Sequence, residues 1–335
     1  MSERLLGQMS FADRLVADVA RGNATLERIE ALVDWDAVAG LLSPLRGGVM
    51  GAPGYPALTM FRALLLQRWY GLSDPQLEEA LADRLSFRRF VGLSLSEPAP
   101  DHSTIWRFRE AFGKSGLAER AFAAITQQIE TSGFVLKRGT LIDASLIPAA
   151  VNPPPPPRHP LPPDADGRPA SKLVPSPSDP DAGWTKKEGK HFFGYKVHVG
   201  MDQVSRIIRR VAVTPANVNE SEVADALICG DEAAVYGDKA FTNKARRARL
   251  KAQGIRDGIM MRSNRWRKPS RWMIKRNAII AHRRAPIESW FAHLKHVCGF
   301  ARARHRGLLR NAAAIHLAAT AINLARWVKN APAPA

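Results

Sequence analysis

The sequence predicts an α/β protein: a mixed sheet flanked by helices, preceded by an all-helical N-terminal domain. Three observations predict it. Apolar residues recur at helical spacing up to about residue 135. The pattern changes after Gly139 to a short apolar run, Thr140 to Ile147, of the kind that forms a buried strand. From there short strand-like and helix-like segments alternate to the C-terminus.

In the first part, Pro56 to Tyr70 carries Leu58, Phe61, Leu64, Leu65 and Trp69 on one helical face. Ser73-Asp74-Pro75 opens a second helix with Ser73 as N-cap. Asp101 caps a third, holding Trp106, Phe108 and Phe112, and Gly116 separates it from a fourth, Leu117 to Glu130. Such short helices suit a DNA-binding module or a plain bundle, with Arg62, Arg68, Arg88, Arg89, Arg107 and Arg109 as modest support for the former.

In the second part, Leu146 to Lys190 holds 13 of the 24 prolines, including Pro153 to Pro157, and reads as a loop. Strands are expected at Phe192 to Val199, Arg206 to Val213, Ala233 to Tyr236 and Asp257 to Met261. Helices are expected at Ser221 to Cys229, Lys244 to Gln253, Ala285 to Phe300 and Leu308 to Val328. The domain reading is therefore 1–135 helical, 136–300 α/β, and 301–335 a C-terminal helix packing on the α/β unit.

Charge narrows the function. The chain carries +18, yet Lys239 to Arg310 holds 21 Lys or Arg against two acids, Asp257 and Glu288. That block nets +19, so the rest is close to neutral. A folded block so unbalanced calls for a polyanion, and nucleic acid is the usual one. Cys229 and Cys298 match no zinc or redox spacing and read as buried or idle thiols in a reducing compartment. His102, His198, His293 and His316 lack metal-ligand spacing and read as surface or core residues. Met1 to Gly22 is interrupted by charge, and His316, Asn323 and Arg326 break the apolar stretch Ala312 to Val328, so a cytoplasmic protein without a membrane span is expected.

Three acids stand out by context. Asp143 interrupts an apolar strand, where an unpaired charge is costly. Asp238 follows Val235-Tyr236-Gly237 at a strand end, where functional groups of open α/β sheets gather. Glu288 sits on an amphipathic helix inside the basic block, with Ile287, Phe291 and Leu294 as its buried stripe. Brought together, these carboxylates repel one another unless cations bridge them, and magnesium or manganese suits an all-oxygen site. Two such ions, roughly 3.5–4 Å apart, are expected to activate a water or 3′-hydroxyl and stabilise the leaving oxygen. Pro286 reads as a first-turn proline, which starts the helix near Ala285 and puts Arg284 at its phosphate-binding entrance. Lys295 lies two turns beyond Glu288 on nearly the same face.

These residues resemble the DDE class of insertion-sequence transposases, close to the insertion-sequence-five branch of the insertion-sequence-four superfamily, over nearly the whole chain. Leu141-Ile142-Asp143 is similar to the first acidic motif and Gly237-Asp238-Lys239 to the second. Thr214-Pro215-Ala216-Asn217 and the stretch Asp181 to Val199, with Trp184-Thr185-Lys186-Lys187 and Phe193-Gly194-Tyr195-Lys196, also match. Arg284, Glu288 and Lys295 meet the signature Tyr-x2-Arg-x3-Glu-x6-Lys, but Ala281 stands where the Tyr is expected. In relatives that aromatic helps hold the transposon end; Trp266, Trp272 or Trp290 are the candidates to replace it by stacking on a base, with a core role favoured for Trp290.

The resemblance implies an RNase H-like fold and a metal-dependent enzyme that cleaves at element ends and joins the freed 3′-hydroxyl to target DNA. Asp143, Asp238 and Glu288 would be both catalytic and metal-binding, with Mg2+ or Mn2+, two ions. Arg284, Lys295, Lys239 and Arg283 would contact DNA. The implied partners are double-stranded DNA, as terminal inverted repeats and target, and a second copy of the chain in a synaptic complex on the nucleoid. A nuclease of the same fold without strand joining, and a non-catalytic DNA-binding relative, are the rivals.

Overall fold

The computed structural model describes residues 4, 6–7, 22–45, 54–151, 178–187, 189–263 and 269–331. The proline run Pro153 to Pro157 and Trp266 lie outside these residues. Two compact units are present: 1–134 with 313–335, and 135–312.

The first unit is helical. Its elements are α1 (Ala24–Leu32), α2 (Trp35–Leu42), α3 (Ala57–Tyr70), α4 (Asp74–Asp83), α5 (Leu85–Val91), α6 (His102–Lys114) and α7 (Leu117–Thr131). The expected caps form: Ser73 and Gln76 make a reciprocal capping box at α4, and Asp101 accepts from Thr104 N–H at α6. Helix α3 is central, with Met60, Phe61, Leu64 and Leu65 all buried.

Three of the arginines read as support for DNA binding are internal ties instead. Arg62 is buried between the Trp35 ring, Glu30 (3.0 Å) and the Phe90 carbonyl (3.0 Å). Arg88 donates to the Leu81 carbonyl at 3.0 Å, and Arg109 is forked onto Asp74. Burying a guanidinium is tolerable only when its donors are satisfied. Arg89 and Arg107 remain exposed.

The C-terminal helix, α11 (Leu308–Asn330), corrects the expected organisation: from Ala313 onward it belongs to the helical unit, not to the α/β unit. The His316 ring lies 5.6 Å from that of Phe122, Trp69 donates its indole N–H to the Ala321 carbonyl at 2.8 Å, and Arg28 caps the Ala331 carbonyl. Periodicity identifies which face of a helix is apolar, but not which surface receives it. Among the described residues no helix is long and apolar enough to cross a membrane.

The second unit is built on a mixed six-stranded sheet: β1 (Thr140–Pro148), β2 (Gly183–Lys187), β3 (Lys190–Asp202), β4 (Ile208–Pro215), β5 (Ala234–Gly237) and β6 (Arg256–Ile259). The order is β2-β3-β1-β5-β6, with β4 on the same edge of β3 as β2. The pairs β1–β3, β2–β3 and β3–β4 are antiparallel, while β1–β5 and β5–β6 are parallel. The supposed loop at 146–190 is thus ordered at both described ends, because β1 runs on to Pro148 and β2 begins at Gly183.

Helices cover both sides. Short α8 (Glu220–Val223), its following turn and α9 (Lys244–Ala252) close a core of Ile142, Leu227, Val235, Phe241, Leu250 and Ile259. Buried Arg246 ties α9 to that turn through Asp225 and the carbonyls of Phe241 and Ser221. Long α10 (Arg271–His296) carries Ile280, Ile287, Trp290, Phe291 and Leu294 inward and contacts β1 and β5.

Helix α10 overturns the reading of Pro286 as a helix start. Ser270 caps the helix sixteen residues before Pro286, accepting from Met273 N–H, and Pro286 lies in its interior. The extra turns are held by tertiary bonds. Asn277 makes a two-way bond with the Met261 backbone (both 3.0 Å), and Arg276 donates to the carbonyls of Ile259 and Asp257. The carbonyl left without an N–H partner by the proline is that of His282, an exposed residue where water can serve.

Gly194 sets the geometry where β3 passes from β2 to β4. A Cβ there would fall 2.3 Å from the Ile147 carbonyl oxygen and 2.6 Å from Ala149 N, both backbone atoms. The variant Gly194→Ala is therefore expected to lose about 2–3 kcal/mol, the range of a strained overpacking change, read as a lowered midpoint in thermal unfolding.

Candidate active site

Strands β1 and β5 run parallel with Ile142 opposite Gly237. The next residue on each is an acid, so the register alone sets Asp143 beside Asp238. Gly237 permits the close approach, since a Cβ there would lie 2.9 Å from the Ile142 side chain. Asp238 then leaves the strand and caps the 3-10 turn Lys239–Phe241, accepting from Lys239 N–H.

The third acid comes from α10. Docking of Ile287 and Phe291 on the sheet aims the intervening Glu288 into a cleft of about 540 Å³ that Asp143, Asp238 and Arg284 also line. All three acids predicted from sequence thus share one cleft. Arg284 reaches it from mid-helix, not from a helix entrance, and donates to Asp143 at 2.8 Å.

The electrostatics are unbalanced. Burial pushes the Asp143 carboxyl above its ordinary range, and the Asp238 charge pushes the same way; Arg284 and the Ala144 N–H oppose them. Among the described residues neither Asp238 nor Glu288 has a cation partner. Lys196 and Glu220 also line the cleft, but they form a closed pair at 2.9 Å, with Lys196 donating further to the Val218 carbonyl. Glu220 is therefore a satisfied acid, whereas Asp143, Asp238 and Glu288 present surplus negative charge on all-oxygen donors. That donor set fits a hard divalent cation.

The predicted basic residues separate. Arg284 lines the cleft. Lys295 is half-buried, and its ammonium is held below its ordinary range by burial and by Lys187, which does line the cleft. Lys239 is exposed beside Asp238 but does not line the cleft. Arg283 is turned away: it donates to the Tyr236 hydroxyl at 2.6 Å and lies over that ring. Adjacent helix positions point about 100° apart, so Arg283 and Arg284 cannot share a face. Ala281 is exposed, as is Trp272, while Trp290 is fully buried.

Sequence reasoning matched Thr185, Lys186, Lys187 and Lys196 to family stretches without giving them a place in the site, and it missed Glu220. It also missed that Cys229 meets Asp231 and Glu232, whose ligand atoms lie within 4.8 Å of one another. Those charges are already neutralised: Arg209 forks onto Asp231 at 2.8 and 2.9 Å, and Lys137 reaches it at 2.7 Å. Burial also pushes the Cys229 thiol up to about 11. This cluster precedes β5, at the opposite end of that strand from Asp238.

Comparison with known families agrees with the geometry. Residues 14–111 match the transposase domain (DUF772), and residues 136–324 match the transposase DDE domain. The second match spans more than half of the chain, and the protein belongs to the DDE transposase family. It is a DDE-type transposase enzyme, and membership implies divalent-metal dependence and DNA substrates. No solved structure matches the chain.

His198 lies beside Lys196 on β3, fully buried. Its Nε2 meets the Thr214 hydroxyl at 3.0 Å, and that hydroxyl donates to the Pro215 carbonyl, so Nε2 must carry the proton. Nδ1 has no partner, and a second proton there would be an unsatisfied buried donor. Burial, with Lys196 adding, lowers His198 to about 4 from 6.5, against a smaller pull from Glu220. Because the folded value lies below the unfolded one, the unfolded chain takes up the proton first. Stability is complete above about pH 6.5 and erodes as pH falls toward 4, by about 3 kcal/mol at the end of that window. Denaturant titrations between pH 7 and 4 are expected to show a shallower pH dependence for His198→Gln than for the wild type.

Proposed function

We propose that the protein cuts DNA at the ends of a mobile element and joins the freed 3′-hydroxyl to target DNA, using Asp143, Asp238 and Glu288 as metal-binding catalytic carboxylates. The observation that carries this reading is the surplus negative charge of these three acids in one cleft beside Arg284, next to a satisfied pair, Lys196–Glu220, that shows what a structural acid looks like here. Magnesium or manganese, as two ions, would be held by these carboxylates and would supply Lewis-acid charge to the reacting phosphoryl group.

The chain's own residues perform the rest. Strand β1 and strand β5 hold Asp143 and Asp238 at fixed spacing, and α10 adds Glu288, so the carboxylates need no rearrangement to receive cations. Arg284, bonded to Asp143, is within the cleft to pair with a phosphate once a cation takes over the carboxylate. Catalysis of phosphoryl transfer rests mainly on such positioning and charge stabilisation. Lys295 and exposed Lys239 would follow the DNA backbone away from the reacting phosphate. Arg283 has no such role in this reading, because it is engaged with Tyr236. The helical unit would hold the element end through exposed positions such as Arg89 and Arg107. Two copies of the chain would pair the two ends.

Asp143→Ala is the direct test. Strand joining of a pre-cut duplex with a free 3′-hydroxyl into plasmid is expected to fall by about 10³-fold or more, as for loss of one member of a catalytic unit, while gel-shift binding of the same duplex persists. Undiminished joining would sink the carboxylate assignment. A wild-type protein that nicks DNA but yields no joined product would favour the nuclease reading.

A further inference from the structure

The hairpin β2–β3 has no place in the chemistry above, yet its residues Thr185, Lys186 and Lys187 line the catalytic cleft. Its base is rigid. Buried Asp179 accepts from the Tyr195 hydroxyl (2.6 Å) and from Gly307 N–H (3.1 Å), and Asp181 accepts from Leu308 N–H (2.8 Å). Trp184 packs on Phe193, ring centroids 5.3 Å apart, across the two strands.

Its far end is electrostatically unfavourable. Lys187 is directly opposite Lys190 in the register, and like charges so placed destabilise a hairpin. Lys187 is also the charge that, after burial, holds the half-buried Lys295 ammonium of α10 below its ordinary range. Among the described residues neither the Lys187 nor the Lys295 ammonium has a hydrogen bond or ion pair. One acid of the segment, Glu188, lies outside the described residues. Edge strands do use lysines simply to block unwanted pairing. Lys186 and Lys187 are exposed, as that role requires, but they also line the cleft that holds the three acids.

We propose that the β2–β3 hairpin is a DNA-backbone arm of the cleft, with Lys186 and Lys187 on the hairpin and Lys295 on α10 gripping phosphates of one strand from two sides. The inference rests on the reading of the cleft as a DNA site, and it names the strand's seat there. Phosphates seated there turn a repulsive arrangement into an attractive one, and a DNA strand supplies them in series. The protein leaves this repulsion standing because the substrate removes it.

The test uses the full chain, a short labelled DNA duplex of arbitrary sequence, and a salt series. Lys186→Ala/Lys187→Ala is expected to reduce the steepness of the affinity–salt plot by about one unit per lysine. Lys187→Glu is expected to weaken binding about tenfold or more and, at the same time, to raise the thermal midpoint, since it converts the Lys187–Lys295 repulsion into an ion pair. Replacing chloride by inorganic phosphate at equal ionic strength is expected to leave the DNA affinity unchanged. Wild-type slope and affinity in the double variant would overturn the arm and leave the lysines as edge protection. A thermal midpoint that does not rise in Lys187→Glu would overturn the shared seat with Lys295. Strong competition by inorganic phosphate would assign the seat to a free anion. If the wild type itself bound no DNA, the reading of the cleft would fail, and that outcome is distinct from all the others.

Discussion

Placing Asp143 beside Asp238 sets two negative charges against each other in one cleft, and the rest of the unit is arranged around that repulsion. The spacing follows from the parallel pairing of β1 with β5, made tight by Gly237 against Ile142. The nearest cation is Arg284, and it arrives only because α10 docks across both strands. Helix α10 in turn is held at its N-terminal half by Asn277 and Arg276 on the backbone at the end of β6. Removing any of these supports exposes an uncompensated pair of carboxylates. A cation held by these carboxylates would therefore act on the same charge as the Arg284 guanidinium.

The treatment of charge elsewhere makes the cleft stand out. Arg62, Arg88, Arg209 and Arg246 are buried and Arg109 partly so, and each is tied to an acid or to carbonyls. Such pairs cost desolvation and return it through hydrogen bonds, so they are close to neutral for stability but severe to break. The cleft departs from this practice twice, with acids lacking cations and with lysines lacking acids. Perturbed, uncompensated groups concentrated in one concave site are the mark of function more often than of folding.

Much of this was legible in the residues. Asp143 and Asp238 stood out as acids in or just after apolar strand runs, but their assignment rested more on the order of the family's acidic motifs. Glu288 could be placed because it is one of two acids in a block of 21 bases. The expected helix caps at Ser73 and Asp101 needed only local chemistry, and they formed. What was not legible depended on distant partners. Pro286 reads as a helix start by local rules, and only the bonds from Asn277 and Arg276 to the β6 end extend the helix past it. The docking of the C-terminal helix on Trp69 and Phe122 lies beyond any periodicity argument. Lys196 and Glu220, apart by 24 positions, are joined by the fold and by nothing in their spacing.

The same lesson applies to the basic block, where charge count and charge location diverge. A net charge of +19 between Lys239 and Arg310 identifies a polyanion partner without saying where it lies. Once partners are assigned, much of that charge is already engaged: Arg246 and Arg249 on Asp225, Arg247 on Asp257, Arg276 on carbonyls, Arg283 on Tyr236. The charge left facing the cleft is small, and part of it comes from outside the block, on the β2–β3 hairpin. Affinity for DNA scales with the phosphates neutralised, not with the lysines and arginines a chain contains. The residues that matter for binding are thus those the fold leaves unpaired, and their number is set by how many acids the fold withholds from them.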